Sequence, residues 1–272
     1  MKTLTIQRED GTEYDLAALH MDVIQFEPPS AAYTHNVVQV GPYGERHVGT
    51  VATQRLIPLK LDAFATNDLT VMMKRNQLFR IFDSMSAFYV IDQRLPTIRW
   101  HVRAEQQPFP LYDNWNMGGD ITFNLVCIDG YAESVSTTLT PTELELSQWG
   151  LGMNLPLNKP LHYTFTTPEF DVYNASNIDI HAEERPYQIL FQGSAGSLTI
   201  TNATTNQTFQ CDQAIGSGDQ FVLYGAWPLL NGQSIYQNTN HGLIDLAQGW
   251  NHFKLGGCSG SFKIAFDTRF YY

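Results

Sequence analysis

Apolar side chains recur at helical spacing in one segment of the first half of the chain. They are Val71, Leu78, Ile81, Phe82 and Met85. Residues 66–68 precede this segment with the sequence Thr-Asn-Asp, whose side chains can accept hydrogen bonds from the free N–H groups of a first helical turn. The pattern predicts an amphipathic helix that covers one face of a sheet. Lys74, Arg75 and Arg80 are expected to face solvent or a partner.

Three segments of the first half have the composition or period of β-strands: residues 87–92, 97–104 and 121–128. In the second segment apolar residues alternate with Arg99, His101 and Arg103, so the strand is expected to have a core face and a cationic face. In the third segment Ile121, Phe123, Leu125 and Cys127 share one face. This alternation predicts an antiparallel sheet with one wetter side.

The second half of the chain has a different amino-acid composition, since residues 1–140 carry 27 charged residues and residues 141–272 carry 16. Short apolar segments between Gly, Asn and Thr predict a β-sandwich there. Residues 197–202 and 208–211 are expected to pair as a hairpin, and residues 221–224 and 260–270 to form further strands. The Gly-rich segments 216–218 and 256–260 are interpreted as β-turns, and Asn202 is interpreted as a polar residue of a turn. The predicted domains are residues 1–140 and 141–272.

Composition narrows the function classes. The net charge of −11 and the absence of a basic stripe argue against tight binding of nucleic acid phosphates. No apolar run reaches the roughly 18 residues of a membrane span, so no membrane partner and synthesis in the cytoplasm are expected. Three dispersed cysteines and eight histidines without ligand spacing predict no disulfide, no metal site and no cofactor.

The sequence signals for catalytic residues are weak. Cys258 and Ser259 lie in a sequence that misses the nucleophile-elbow spacing by one residue. The candidates for the paired carboxylates of a glycosidase are the acidic neighbours Glu143 and Glu145, and Glu183 and Glu184. Trp149, Trp227 and Trp250 are candidates for a platform that stacks on sugar rings, with a core role as the alternative for each.

Several segments, in order along the chain, resemble the phage tail-component family that includes the distal tail proteins of siphoviruses. In the first half these are the helix, residues 88–92, 98–103 and 121–132, where Gly130 replaces the family's usual Pro. In the second half they are residues 170–174, 185–193, 198–205, the closing Leu246-Ala-Gln-Gly-Trp-Asn251 and residues 262–266. Each segment is weak alone, and the order of about 200 matching residues carries the resemblance.

The resemblance implies a mainly β protein. Its first domain would contain a β-sheet or barrel-like fold with one α-helix and would assemble as a six-membered ring, and its second domain would be a galectin-like β-sandwich. The implied function is a structural, non-enzymatic hub at the distal end of the virion tail. The implied partners are other copies of the chain, the major tail tube protein, the tail-associated or tape-measure protein and the receptor-binding proteins, with the genome passing through the lumen without specific binding.

Lys74, Arg75, Arg80, Arg99, His101 and Arg103 are the candidate ring-interface residues. Two alternatives stay open at this point: a carbohydrate-binding module that contacts the host cell wall through the tryptophans, and a β-sandwich glycoside hydrolase that uses the acidic pairs. Both use only half of the chain, whereas the ordered resemblance covers both halves.

Overall fold

The computed structural model describes residues 3–65, 67–111, 117–139, 149–150, 152–156 and 159–272. The chain divides into two units, residues 1–133 and 134–272. Antiparallel strands dominate both units, and the described residues contain one α-helix. The predicted mainly β class with one helix is therefore confirmed.

The first unit is an antiparallel sheet with a helix and a separate hairpin. Its strands are β1 (Leu4–Arg8), β2 (Glu13–Asp15), β3 (Met21–Phe26), β4 (Ala32–Gln39), β5 (Glu45–Thr53), β6 (Arg55–Phe64), β7 (Phe88–Asp92), β8 (Ile98–Ala104) and β9 (Met117–Cys127); helix α1 is Asp68–Ile81. The main sheet has the order β2-β1-β7-β8-β9-β6-β3, and β4 pairs with β5 as a two-stranded sheet.

The core of the first unit follows from the period of its strands. Ile57, Leu59, Leu61 and Ala63 of β6 are fully buried and alternate with more exposed positions. They lie opposite Leu125, Phe123, Ile121 and Gly118 of β9. Ile121, Phe123, Leu125 and Cys127 are all buried, as the sequence predicts. Alternation works here because one face of the sheet meets the core and the other does not.

Helix α1 begins at the predicted position. Asn67 is the N-cap: its side chain accepts a hydrogen bond from the Thr70 backbone N–H, and the Thr70 hydroxyl accepts one from the Asn67 N–H. The predicted apolar face is buried at Val71, Leu78, Ile81 and Phe82. Met85 is the exception at 89% exposed, because the helix ends at Ile81, before the helical period reaches Met85.

The second unit is built on two long strands. Its elements are β11 (Thr164–Phe165), β12 (Glu169–Asn174), β13 (Tyr187–Asn202), β14 (Gln207–Cys211), β15 (Phe221–Tyr224), β16 (Trp227–Leu230), β17 (Gln233–Ser234), the 3-10 helix η1 (Tyr236–Asn238) and β18 (Gly249–Thr268), while β10 (Glu133–Ser134) spans the unit boundary. The sheet order is β11-β18-β13-β15-β16-β17, and β12 and β14 join the far ends of β18 and β13.

Strands β13 and β18 each take part in two layers. Near Asn202 they pair with β14 and β12, and near Tyr187 they pair with β15 and β11. The register between them shifts at Gly193/Ser194 and at Ala195/Thr199. Phe170 of β12 packs against Phe165 of β11 at 4.2 Å between ring centroids, so the inner faces of the two layers share an aromatic core.

The hairpin of β13 and β14, the strand 221–224 and the turn at 216–218 are confirmed. The interpretation of residues 256–260 as a β-turn is wrong. These residues lie inside β18, which begins at Gly249 instead of Gly260. Glycine marks bends and bulges within strands as well as turns between them, and sequence alone does not separate the two.

Candidate functional site

Two of the three cations of α1, Lys74 and Arg80, line a shallow depression of about 620 Å³ together with Met73. The Lys74 ammonium donates a 2.7 Å hydrogen bond to the Leu19 carbonyl, and partial burial lowers the pKa of Lys74. Arg75 contacts the side chain of its neighbour Asn76. Arg80 is exposed, so it is the cation of α1 that is most open to a partner.

The cationic residues of β8 are engaged within their own unit. Arg99 forms a 2.6 Å ion pair with Glu133 and lies 3.6 Å over the Tyr89 ring. Arg103 donates hydrogen bonds to the backbone carbonyls of Ser84 and Met85. These contacts hold the guanidinium groups at fixed positions and occupy many of their donors.

His101 stacks on Tyr89 at 4.8 Å, and its ring nitrogens lie 3.5 Å from an Asp129 oxygen and 3.6 Å from a Glu9 oxygen. The hydrogen bond to Asp129, with the nearby carboxylates of Glu133 and Glu9, raises the pKa of His101 against the opposing effect of burial. The acidic partners therefore largely balance the cationic face of β8.

The β4–β5 hairpin is an exposed apolar feature of the first unit that the sequence did not predict. Every residue from Tyr33 to Val48 is exposed. The exposed apolar side chains are Tyr33, Val37, Val38, Val40, Tyr43, Val48 and Val51, with Tyr43 at 98%. The available signal was the segment Gly41-Pro-Tyr-Gly44 between two runs rich in β-branched residues.

The two faces of the hairpin differ. On one face His35 and His47 both contact the Thr50 hydroxyl, at 2.8 and 2.9 Å. The cross-strand pairs Thr34–Val51 and Val38–Arg46 lie on the opposite face. Because the hairpin has no core face, both of its sides are available to another molecule.

The three candidate tryptophans have three different environments. Trp149 is 3% exposed and packs against Phe270, so it is a core residue and presents no face to a sugar. Trp250 is 36% exposed, contacts Tyr173 at 4.9 Å, and has the Lys159 ammonium 3.7 Å from its ring centroid. Trp227 is 64% exposed. Trp227 is thus the candidate whose ring is most open to a ligand.

Of the four candidate carboxylates, Glu143 and Glu145 lie outside the described residues. Glu183 and Glu184 are exposed and line the same depression as Trp227. Among the described residues, no group of three or more His, Cys, Asp or Glu is placed to hold a metal ion. In that same part of the chain no helix has the length and apolar character needed to cross a membrane.

Residues 9–125 match the family model described as the phage tail protein RIFT-related domain. The whole chain has the fold of the SPP1 Dit protein (gp 19.1), described as a paradigm of the hub adsorption apparatus of phages that infect Gram-positive bacteria. The TM-score is 0.71 at 14% identity, over 98% of this chain and 99% of that one.

Two structures of the phage p2 baseplate in its activated conformation are also similar. The strontium form has a TM-score of 0.51 at 10% identity and covers 97% of both chains. The calcium form has a TM-score of 0.52 at 10% identity and covers 98% of both. No curated protein sequence matches the chain.

These comparisons confirm the resemblance to the phage tail-component family that the order of the sequence segments predicts. Residues 9–125 are similar to the phage tail RIFT-related domain, and the fold of the chain is similar to that of phage hub and baseplate proteins. The similar structures are described as a hub of an adsorption apparatus and as a phage baseplate.

Proposed function

We propose that this chain is a structural subunit of a phage tail tip, in which six copies form a ring that joins the tail tube to the adsorption apparatus. The RIFT-related domain in residues 9–125 and the shared fold with a hub protein support this role. The chain would act by holding other tail components in place, and no catalytic step is assigned to it.

The observation that carries the proposal is the exposed β4–β5 hairpin. An isolated two-stranded hairpin is at best marginally stable in water. Val38, Val40, Val48 and Val51 are each about half exposed or more. Fully burying such a side chain is worth roughly 1.5–3 kcal/mol, so covering its exposed half contributes about 1 kcal/mol to an assembly. We assign the hairpin to the contact with the neighbouring copy in the ring, because a cyclic assembly needs one surface on each subunit that fits a different surface of the next.

The cations of α1 and β8 are proposed as the charged part of this contact. Arg75 and Arg80 would face acidic groups of the neighbouring copy, which the net charge of −11 supplies in excess. Lys74, Arg99, His101 and Arg103 would contribute mainly by fixing the shape of the surface, because each is already engaged by partners in its own unit.

The other partners follow from a ring at the end of a tail. One face of the ring would contact the major tail tube protein and the other the tail-associated or tape-measure protein. The second unit, with its proposed galectin-like sandwich, would face outward toward the receptor-binding proteins. The chain would then be located at the distal end of the virion tail.

The excess of acidic residues also suggests how DNA passes through the ring. A negatively charged lumen repels phosphates, so the genome would move through the ring without binding. Assembled rings are expected to retain no double-stranded DNA in a filter assay at low salt. Tight retention would contradict this part of the proposal.

Negative-stain microscopy and native mass spectrometry of the purified full chain test the assembly. The expected result is a ring with a central hole and a mass of six subunits. A chain that stays monomeric at the highest concentration tested, and also fails to form rings with its tail-tube partner, would contradict the proposal.

A further inference from the structure

The second unit carries a depression of about 410 Å³ between residues 182–186 and the tip of the β15–β16 hairpin. Gly225 lies at that tip with a φ of +54°. A Cβ atom on Gly225 would lie 2.3 Å from the Ala182 carbonyl oxygen, so glycine allows the hairpin to close against the turn. The volume is within the usual range of small-ligand sites, about 300–1,000 Å³, and suits a single sugar ring.

Two aromatic side chains border this depression. Trp227 and Tyr224 are cross-strand partners on either side of the two-residue turn. Trp227 is 64% exposed and Tyr224 is 41% exposed. Tryptophan is usually well buried, and exposing its large apolar surface is unfavourable unless a ligand covers it. The apolar face of a pyranose ring is flat and of matching size.

Polar groups stand beside the aromatic pair. Glu183 and Glu184 are exposed and line the depression, and their carboxylates can accept hydrogen bonds from the hydroxyls of a sugar. Hydrogen bonds to a charged group are roughly twice as strong as those between neutral groups. An aromatic platform with adjacent carboxylates satisfies both the apolar face and the polar rim of a sugar.

The charges of the depression and of the whole chain indicate which class of sugar can bind. The depression has two glutamates and one arginine, Arg185, whose guanidinium lies 4.7 Å over the Tyr271 ring. With a net charge of −11 on the chain, phosphate-rich and uronate-rich polymers would be repelled. A neutral, hydroxyl-rich pyranose is the ligand class that fits.

We propose that the depression formed by Trp227, Tyr224, Glu183 and Glu184 binds a neutral pyranose unit of a polysaccharide. This saccharide site belongs to the second unit alone and does not require ring assembly. It places Trp227 and the Glu183/Glu184 pair in one binding site, and no catalytic step is assigned to them.

The test uses the purified full chain on an array of immobilised neutral oligosaccharides built from glucose, galactose, rhamnose, N-acetylglucosamine and N-acetylgalactosamine. Calorimetric titration with the best-retained oligosaccharide then gives its Kd. Trp227→Ala is expected to weaken binding at least about tenfold, because stacking residues dominate such sites. Glu183→Gln and Glu184→Gln are expected to weaken binding less, since an amide oxygen still accepts a hydrogen bond.

Trp250→Ala is the matched control, because Trp250 is also a partly exposed tryptophan of the second unit but does not line this depression. Its Kd should equal that of the unchanged chain. Equal melting temperatures for the two alanine variants would exclude unfolding as the cause of lost binding.

Three results would overturn the proposal: no neutral glycan retained by the unchanged chain, binding that survives Trp227→Ala, or binding lost in Trp250→Ala but not in Trp227→Ala. Native mass spectrometry on the same samples reports ring formation separately. A failed saccharide site and a failed hub are therefore distinguishable.

Discussion

The ring centroids of Phe253 and Phe266 lie 4.8 Å apart, although the two residues are thirteen positions apart in the same strand β18. An extended strand of that length would span about 43 Å at roughly 3.3 Å per residue. The strand must therefore bend sharply so that both rings, each fully buried, enter one core. The Gly-rich residues 256–260 lie at this bend, beside the register shift between β18 and β13.

Gly257→Ala is expected to destabilise the second unit. Gly257 has a φ of +75°, and a Cβ atom there would lie 1.7 Å from the Ser197 carbonyl oxygen. The backbone strain alone costs about 1–3 kcal/mol, and relief of the clash adds to it. Urea unfolding of the full chain should show a clearly lower midpoint for the affected transition.

The adjacent Gly256→Ala is the control for this prediction. Gly256 has an ordinary backbone, and its added Cβ atom would meet Thr199 only at a normal contact distance of 3.6 Å. Its midpoint should stay close to that of the unchanged chain. Equal midpoints for the two variants would show that the bend does not depend on Gly257.

The parts of the fold that the sequence predicts are those with a local cause. Helix α1 was predictable because a capping residue precedes a helical period, and β9 because its apolar residues alternate toward one core. The bend in β18 was not, because its cause is the long-range packing of Phe253 on Phe266. The β4–β5 hairpin was missed because neither of its faces meets a core, which removes the alternation that identifies a strand.

The candidate sites were predictable only as residue types. Trp149, Trp227 and Trp250 have equivalent Gly- or Pro-containing neighbourhoods in sequence, yet one is buried and one is 64% exposed. Burial depends on which strands pack above each ring, which the sequence does not state. The contact of Glu183 and Glu184 with the Trp227 depression depends in the same way on the packing of two turns.

Asn251→Ala is expected to destabilise the second unit by about 2–4 kcal/mol. The segment Leu246-Ala-Gln-Gly-Trp-Asn251 carries part of the family resemblance, and the structure explains why it ends in an asparagine. The buried Asn251 side chain accepts a 2.9 Å hydrogen bond from the Ala247 N–H and donates a 2.7 Å hydrogen bond to the Ala247 carbonyl. Removing the amide leaves these backbone groups without that partner, and each such loss costs about 1–3 kcal/mol.

The partner of Asn251 is Asn202, which is also fully buried and donates a 3.0 Å hydrogen bond to it. Asn202 is therefore a core residue as well as part of a turn. Gln248→Ala, in the same segment but less buried, is the control and should change the unfolding midpoint little. A stable Asn251→Ala variant would contradict the structural reason given for the motif.

The stability of the first unit is expected to depend on pH through His101. Its pKa is raised in the folded state, so the stabilisation is fully present below the unfolded value of about 6.5. It is lost as the pH rises through the folded pKa. The melting temperature of the unchanged chain minus that of His101→Gln should be larger at pH 5.5 than at pH 8.5. A difference that does not change with pH would contradict this assignment.

Val38→Asp and Val51→Asp are expected to prevent ring assembly without unfolding the subunit. Both side chains lie on the same face of the β4–β5 hairpin and are about half exposed in the single chain, so a charge there is solvated in the monomer. In the proposed ring the same carboxylate would be buried without a partner, which costs several kcal/mol per contact. Light scattering should therefore show monomers with an unchanged melting temperature. Ile24→Asp places the same charge at an apolar β-strand side chain of the first unit that is 48% exposed but lies outside the hairpin, on β3, and it should still form rings. If all three variants assemble normally, the hairpin does not form the contact between copies, and the ring must be held by other surfaces such as the cations of α1.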